Sequence, residues 1–295
     1  MGLDFYLQQL IFGATLGCLY GLVAIGYTMV YWVLRLINFA HGDLLMVAGY
    51  IAFYGIIMFQ LPWPVSFAIA TALTGCLGIL IDRGAYKPLR NSPRISALIT
   101  AIGVSFLLEN LGLVIIGGRP KSFPKPELFD GSLMMGDLVI PNLSLWILGI
   151  TAVLLLLVML VVHRTKVGMA MRALSRDFET VRLMGIDADR VISFTFMLGS
   201  ILAAAGGIMW CMRYPALEPF MGVIPGLKAF VAAVLGGIGN VAGAALGGFL
   251  LGFAEVIIVA VKPEWSGYRD AIAFAVLILV LLTRPKGIMG EDLPD

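Results

Sequence analysis

The most constraining feature of this sequence is the run from Leu44 to Ile81, which contains no charged side chain. An α-helix needs about 20 mostly apolar residues to cross the hydrocarbon core of a membrane. The run is therefore long enough for two crossings. The segment "QLPWP" (60–64) divides it, because Pro62 and Pro64 cannot donate backbone hydrogen bonds to a helix. Two spanning helices joined by a tight turn are predicted here.

Further apolar runs predict an all-α polytopic membrane protein. Only 13% of the 295 residues are charged and 60% are hydrophobic, whereas soluble domains carry roughly 25% charged residues. The other predicted spans are 5–34, 95–117, 139–162, 191–212 and 266–284. The region 226–261 is long for one crossing and short for two, and "GGIGN" (236–240) is a predicted break within it. The sequence predicts roughly eight to ten crossings, with broken or re-entrant segments near 38–43 and 226–240, and leaves odd and even counts open.

The distribution of Lys and Arg predicts the orientation. The loop 82–94 carries four basic residues and one acidic residue, and the loop 163–190 carries six basic residues. Because cytoplasmic loops are enriched in Lys and Arg, both loops are predicted to lie in the cytoplasm. The segment 118–144 is balanced in charge and rich in Pro and Gly, and is predicted to lie on the opposite side.

Several function classes lack their motifs. The chain has no G-x-x-x-x-G-K-[ST], H-E-x-x-H or G-x-S-x-G segment, so nucleotide binding by a P-loop, zinc-protease chemistry and a nucleophile elbow are not predicted. The three cysteines are far apart in apolar runs and read as packing residues. A net charge of +2 is too small to suggest nucleic acid. We expect no catalytic residue, no metal site and no cofactor in this chain.

Polar side chains interrupt the apolar runs at four places: "RLINFAHGDLL" (35–45), "ENLG" (109–112), Lys228 and Glu255. Charged groups at membrane depth are costly and are often functional. Structural roles remain open: Arg35 and Lys228 could reach an interface, the glutamates could bond between helices, and Asn38 and His41 could cap a helix. The candidate residues for a translocation path are Asn38, His41, Glu109, Asn110 and Glu255.

Glycine spacing indicates close helix packing and a weak internal repeat. "GNVAGAALGGFLLG" (239–252) is predicted to place Gly239, Gly243 and Gly247 on one helix face and Gly248 and Gly252 on another, which lets membrane helices approach closely. "INFAHG" (37–42) and "GNVAGA" (239–244) share N-x-A. Transporters often combine repeats whose broken helices meet at a central site, and both segments coincide with predicted breaks.

The loop 164–190 predicts an amphipathic helix between two spans. From Met169 to Met184 there is no Pro or Gly, and apolar residues recur at helical spacing. Gly185 then supplies a stop, as a glycine beyond a helix end often does. Such a helix can lie on the membrane surface or dock into a groove of a partner protein. Mixed arginines and acids favour docking.

The same loop carries a family resemblance. ABC importer permeases have a cytoplasmic E-A-A-x-x-x-G motif, and "ETVRLMG" (179–185) is similar, although Thr180 and Val181 replace its alanines. More specifically, "GYTMVYWVLRLINFAHGDLLMVAGY" (26–50), the loop segment and "MGVIPGLKAFVAAVLGGIGNVAGAALGGFLLGFAE" (221–255) resemble LivH-type permeases of branched-chain amino acid ABC transporters. The resemblance implies these coupling residues: Gly168, Arg172, Ala173, Asp177, Glu179, Leu183, Met184 and Gly185.

The resemblance implies the rest of the functional prediction. Residues 1–295 would form a single transmembrane permease domain in the bacterial inner membrane, embedded in the lipid bilayer. Its partners would be a second homologous permease, two ABC ATPase subunits that bind ATP and Mg²⁺, and a periplasmic binding protein that delivers Leu, Ile or Val. Related permeases move urea, short amides or other amino acids, so the cargo stays open. A secondary transporter without an ATPase is the remaining alternative.

Overall fold

The computed structural model describes residues 3–90, 92–136 and 138–290, apart from the side chains of Leu3, Arg94 and Glu179. Its helices are α1 (Leu3–Leu34), α2 (His41–Ile57), α3 (Trp63–Ile81), α4 (Arg94–Ile116), α5 (Asn142–Arg164), α6 (Lys166–Leu174), α7 (Phe178–Leu183), α8 (Ala188–Arg213), α9 (Val223–Gly236), α10 (Val241–Val261) and α11 (Arg269–Thr283). A π-helical turn, Asp82–Tyr86, and a 3-10 turn, Lys87–Leu89, extend α3.

Two small antiparallel sheets lie outside the helices. Strand β1 (Lys121–Ser122) pairs with β4 (Ala216–Leu217), and β2 (Ser132–Met135) pairs with β3 (Leu138–Pro141). The first sheet ties the α4–α5 loop to the end of α8. The all-α prediction is confirmed, since these strands are short and belong to the loops.

Seven of the described helical segments are long and apolar enough to cross a membrane, and α2 and α9 are shorter apolar helices. The break at "QLPWP" is confirmed, because α2 ends at Ile57 and α3 begins at Trp63. The break at 236–240 is also confirmed as the turn between α9 and α10. Together with the non-helical segments that lead into α2 and α9, these helices traverse the bundle nine times, within the predicted range.

Contacts between loops settle which ends of the helices lie together. At one end, Lys121 donates a 2.6 Å hydrogen bond to the Tyr54 hydroxyl at the end of α2. At the opposite end, the Arg35 guanidinium after α1 donates a 2.9 Å hydrogen bond to the carbonyl of Ser175 in the 164–190 loop. Lys87 and Arg90 of the loop 82–94 pair with Asp189 of the loop 163–190. The two basic loops therefore share one end, which the positive-inside rule makes cytoplasmic.

The C-terminal tail lies at that same cytoplasmic end. Helix α10 is antiparallel to α1, since Gly248 lies against Gly21 and Gly252 against Gly17. The backbone N–H groups of Ile288 and Met289 bond to the carbonyls of Leu235 and Gly236 at the end of α9. This placement settles the number of crossings that the sequence left open. The region 226–261 contains both the short helix α9, which runs toward the cytoplasmic end, and the full-length span α10, which runs back from it.

Candidate functional site

Helix α2 begins inside the bundle rather than at its cytoplasmic end. Arg35, with φ 57°, turns the chain back after α1, and residues 35–40 run inward without helical structure. The His41 ring at the start of α2 packs on Tyr27 of α1 with ring centroids 4.6 Å apart. Tyr27 precedes Arg35 by roughly 12 Å of helix at about 1.5 Å per residue. The predicted irregular segment at 38–43 is thus the start of a half-length helix at membrane depth.

Helix α9 is a second half-length helix, and its N-terminus meets that of α2. A Cβ atom added at Gly42 would lie 2.7 Å from the carbonyl oxygen of Gly222, and one added at Gly226 would lie 2.8 Å from the Gly42 Cα. Only glycine allows this approach of two backbones. The N-terminal end of a helix carries partial positive charge. Two such positive ends therefore lie close together in the membrane interior, as at the central sites of transporters with broken helices.

A pocket of about 160 Å³ lies at this meeting point, between α1, α2, α4 and α9. Its polar side chains include Asp43, Ser105 and Glu109. The Ser105 hydroxyl donates a 2.5 Å hydrogen bond to Asp43 Oδ2. Glu109 is only 6% exposed, and within the described part of the chain no hydrogen bond or ion pair is found for it. No Lys or Arg side chain lines the pocket, as far as the described residues go.

The structure separates the five predicted path residues. Only Glu109 lines the pocket. Asn38 Oδ1 accepts a 2.9 Å hydrogen bond from the Tyr86 hydroxyl, and His41 packs against α1. Asn110 is exposed and donates to the Phe106 carbonyl one turn earlier, at 2.7 Å. Asn38 and His41 therefore hold structure at the start of α2, Asn110 bonds within α4, and none of the three lines the pocket.

Glu255 belongs to a separate buried charge cluster between α1, α9, α10 and α11. Lys228 Nζ lies 3.0 Å from Glu255 Oε1 and 2.7 Å from an Asp270 carboxylate oxygen. The Tyr20 hydroxyl donates to Glu255 Oε2 at 3.2 Å. Lys228 therefore does not reach to an interface, and Glu255 is an interhelical partner, which was one of the two roles left open.

Sequence reasoning missed Asp43, Ser105, Gly222 and Gly226 as pocket residues. Asp43 had a signal, because it is a charge directly after the predicted break. Ser105 is one hydroxyl in an apolar helix, and Gly222 and Gly226 are two of 35 glycines. The weak repeat was also misleading, because the start of α2 meets residues 222–226 and not 239–244.

The cytoplasmic loop forms two helices, α6 and α7, and not the single helix that its periodicity predicted. Ser175 Oγ donates to the Arg172 carbonyl at 2.8 Å, and the Asp177 carboxylate accepts from the Thr180 backbone N–H at 3.0 Å. Ser and Asp side chains that bond to nearby backbone end one helix and start another. The break at 175–177 follows from these two residues.

Two predicted coupling residues fasten α6 to the end of α5. The Gly168 N–H donates to Thr165 Oγ1 at 3.0 Å, and a Cβ at Gly168 would collide with the carbonyl oxygens of Val161 and Val162. The Arg172 guanidinium donates to the Val162 carbonyl. Ala173 is half-buried beside them. These residues hold the position of the helix pair rather than forming its outer surface.

The outer tip of the helix pair is apolar. Leu183 is 87% exposed and Met184 is 75% exposed. Gly185 follows with φ 77°, the left-handed conformation that favours glycine, and reverses the chain toward α8. The side chain of Glu179 lies outside the described residues. The tip therefore presents two large apolar side chains to the cytoplasm.

A charged cluster connects the far end of this loop to α3. Arg90 donates to Asp82 at 2.7 Å and to Asp189, which also pairs with Lys87 at 2.8 Å. Ser193 of α8 donates to the other Asp82 oxygen at 2.6 Å. A displacement of the helix pair would therefore be transmitted to α3 and α8 together.

No group of three or more His, Cys, Asp or Glu side chains suited to a metal ion occurs among residues 3–90, 92–136 and 138–290. The expectation of a chain without metal or cofactor stays a prediction.

Comparison with known proteins shows which family this chain belongs to. A family model described as "Branched-chain amino acid transport system / permease component" matches residues 9–281. The chain is 40% identical to the high-affinity branched-chain amino acid transport system permease protein BraD of Pseudomonas aeruginosa, over 97% of this chain and 96% of that protein. It is 39% identical to the corresponding LivH protein of Escherichia coli, with the same coverage.

More distant matches also cover most of the chain. The ribose import permease protein RbsC of Escherichia coli is 27% identical over 88% of this chain and 79% of that protein. A solved structure of PsaBC from Streptococcus pneumoniae in complex with Fab matches 96% of this chain and 92% of that chain, with a TM-score of 0.50 and 16% identity. With seven long spans and a family match over most of its length, the chain belongs to the branched-chain amino acid transport system permease family, a family of multi-pass membrane proteins.

Proposed function

We propose that this chain is the translocation subunit of an ABC importer that moves Leu, Ile and Val into the cytoplasm. The observation that carries the proposal is the combination of an intramembrane pocket at two half-helix ends with an apolar cytoplasmic helix pair. A relative 40% identical over nearly the whole chain is named for branched-chain amino acid transport, which supports the cargo. The translocation path is proposed to pass through the pocket at Glu109.

The proposed partner of the helix pair is an ABC ATPase subunit. Large exposed apolar side chains at the end of a rigid element suit insertion into a groove on another protein. In the proposed assembly, two ATPases bind ATP and Mg²⁺, a second homologous permease completes the pathway, and a periplasmic binding protein delivers the cargo. Movement of the ATPases would pull on α6 and α7 and, through the cluster of Asp82, Arg90 and Asp189, on α3 and α8.

Charging the tip of the helix pair is expected to abolish ATPase binding. In the variant Leu183→Glu/Met184→Glu, two carboxylates would have to be buried without partners in the docking groove, which costs several kcal/mol. We expect co-purification of the ATPase with the tagged permease to fall at least about tenfold, since about 1.4 kcal/mol corresponds to a factor of ten.

Met134→Glu is the matched control for this experiment. Met134 is 74% exposed in the β2–β3 hairpin at the opposite end of the molecule. It should leave ATPase co-purification unchanged. Normal ATPase recovery with the Leu183→Glu/Met184→Glu variant would show that the tip of the helix pair does not dock into the ATPase.

The cargo is tested by uptake into vesicles that contain the complete transporter and its cognate binding protein. We expect leucine, isoleucine and valine to be accumulated only with ATP and with the binding protein present. Accumulation of urea or a short amide in place of these amino acids would support the importer function but show that the proposed cargo is wrong. ATP-independent uptake driven by an ion gradient would support a secondary transporter instead.

A further inference from the structure

The pocket at the ends of α2 and α9 combines two carboxyl side chains with the positive ends of two helix dipoles. We propose that it binds the headgroup of a zwitterionic α-amino acid, with the ammonium group between Asp43 and Glu109 and the carboxylate toward the helix N-termini at Gly42 and Gly222. This inference rests on the proposed import function and deepens it by naming the chemical groups that are recognised. It also assigns roles to Asp43 and Ser105, which polarity along the sequence did not select.

The acidic side of the pocket requires a positive ligand. Glu109 is largely buried and faces the pocket without a hydrogen-bond or ion-pair partner among the described residues. Asp43 accepts from the Ser105 hydroxyl and from its own backbone N–H, and both of these donors are uncharged. A buried carboxylate is stable when it is paired with a cation and hydrogen-bonded. A transported ammonium group has three N–H donors and can bridge the two carboxylates from α2 and α4.

The helix ends provide the opposite side of the site. The helix dipoles place partial positive charge at the N-termini of α2 and α9. Two such ends converge at Gly42 and Gly222, and both glycines line the pocket. Anions, including carboxylates, bind at helix N-termini for these reasons.

The same helix ends disfavour a bare metal cation as the ligand. A sodium or potassium ion would be attracted by Asp43 and Glu109 but repelled by the two converging positive ends. An α-amino acid matches both signs within one headgroup. Apart from Tyr27, the remaining walls of the pocket are apolar and suit an aliphatic side chain; they are formed by Phe39, Ile102, Phe106, Val223 and Leu227.

One side of this pocket is open. Phe106 on α4 is 60% exposed, and the neighbouring faces of α4 and α9 carry exposed apolar residues. The pocket therefore encloses a ligand only in part. Partial enclosure fits weak and transient binding, because a transport pathway must also release its cargo.

Leucine uptake by charge-removing variants tests the proposal. The complete transporter, with wild-type permease, Glu109→Gln or Asp43→Asn, is reconstituted in vesicles and supplied with leucine-loaded binding protein. Radiolabelled L-leucine uptake and ATP hydrolysis are measured on the same vesicles. We expect each variant to lower uptake by about tenfold or more, the effect of losing a hydrogen bond to a charged group. ATPase stimulation by the binding protein should change by less than about twofold, since neither docking surface is altered.

Two further variants serve as controls. Asn110→Leu alters the residue next to Glu109 outside the pocket and should import leucine at the wild-type rate. Glu109→Asp keeps the charge and should retain more uptake than Glu109→Gln. If Glu109→Gln or Asp43→Asn does not assemble, as judged by gel filtration, Ser105→Ala is the deciding variant. It removes the hydrogen bond to Asp43 and should lower leucine uptake severalfold. Unchanged uptake by Ser105→Ala would overturn the proposal.

Other outcomes separate this proposal from the proposed function. Wild-type uptake rates in both charge-removing variants would overturn the headgroup site and leave the importer intact. A requirement for Na⁺ or K⁺ in the wild type that Glu109→Gln abolishes would assign the acids to a cation and also overturn it. If wild-type vesicles import an uncharged amide and no leucine, and Glu109→Gln does not affect that import, both the cargo and the headgroup site are wrong. Absence of any ATP-dependent import by the wild type contradicts the proposed function itself.

Discussion

Replacing Lys228 with methionine is expected to destabilise the permease by about 3–5 kcal/mol, the cost of leaving a buried charge without its partner. The Lys228 ammonium contacts both Glu255 and Asp270. The side chains of Lys228 and Glu255 are 7% and 3% exposed, so water cannot replace the lost cation. Because these residues join α9, α10 and α11, the loss should appear as a lower unfolding temperature of the purified protein.

The exposed ion pair between Lys125 and Asp130 is the matched control. Its nitrogen and oxygen are 3.0 Å apart, as close as those of Lys228 and Glu255, but the pair lies in the outer loop with Asp130 74% exposed. The hydrogen bond from Lys125 lowers the pKa of the Asp130 carboxyl. Lys125→Met should nevertheless change the unfolding temperature little, because exposed pairs are screened by water and salt.

A double variant tests the reason for the effect. Lys228→Met/Glu255→Leu removes both buried charges, so it should recover part of the stability that Lys228→Met loses. Equal unfolding temperatures for Lys228→Met and Lys125→Met would show that the buried cluster does not stabilise the helices. A double variant that is no more stable than Lys228→Met would assign the loss to packing of the lysine stem.

The spans could be predicted from the sequence because crossing a membrane is a local requirement. A run of about 20 apolar residues is visible without knowing its neighbours, and Pro62, Pro64 and the glycines of 236–240 mark where such runs end. The depth at which α2 begins could not be predicted. It depends on the contact of His41 with Tyr27 and Gly26, and on the left-handed turn at Arg35.

The pocket depends on contacts between distant parts of the chain. Gly42 meets Gly222, and Asp43 meets Ser105; each pair lies on different helices. Polarity at membrane depth correctly selected charged residues that are buried, but it could not distinguish Glu109, which faces a cavity, from Glu255, which faces Lys228. That difference is a matter of helix rotation, which is almost unmarked in the sequence because α4 and α10 carry apolar residues on all faces.

The cytoplasmic loop 164–190 shows the same division between local and non-local signals. Basic residues predicted its side of the membrane, and Gly185 predicted its end, because both signals are local. The break at 175–177 also has a local signal in the sequence, Ser175 and Asp177. The helical periodicity of the apolar residues continues across this break, however, and conceals it.

Replacing Gly252 with leucine is expected to prevent assembly of the helix bundle. Helices α1 and α10 pack through glycines, and a Cβ atom at Gly252 would lie 2.5 Å from the Gly17 Cα and 2.7 Å from the Gly13 carbonyl oxygen. Both are backbone atoms, so neither can rotate away. In a membrane, helix association depends on close packing because the surrounding lipid is as apolar as the side chains. Forcing a leucine between these backbones would separate α10 from the most buried helix.

Gly149→Leu makes the same substitution where there is room for it. Gly149 lies on α5, and no atom lies within 4 Å of a Cβ placed there. The two variants add equal volume and equal hydrophobicity to membrane-spanning helices, so a difference between them reports packing alone. We expect the yield of monodisperse protein in gel filtration to fall by about tenfold or more for Gly252→Leu, since overpacking typically costs at least 1–3 kcal/mol, and to stay near wild type for Gly149→Leu. Gly252→Ala should give an intermediate yield, because its single methyl group meets the same backbone atoms but requires a smaller displacement. Equal yields for Gly252→Leu and Gly149→Leu would mean that α1 and α10 can separate without loss, and that the contact between their glycines does not hold the helix bundle together.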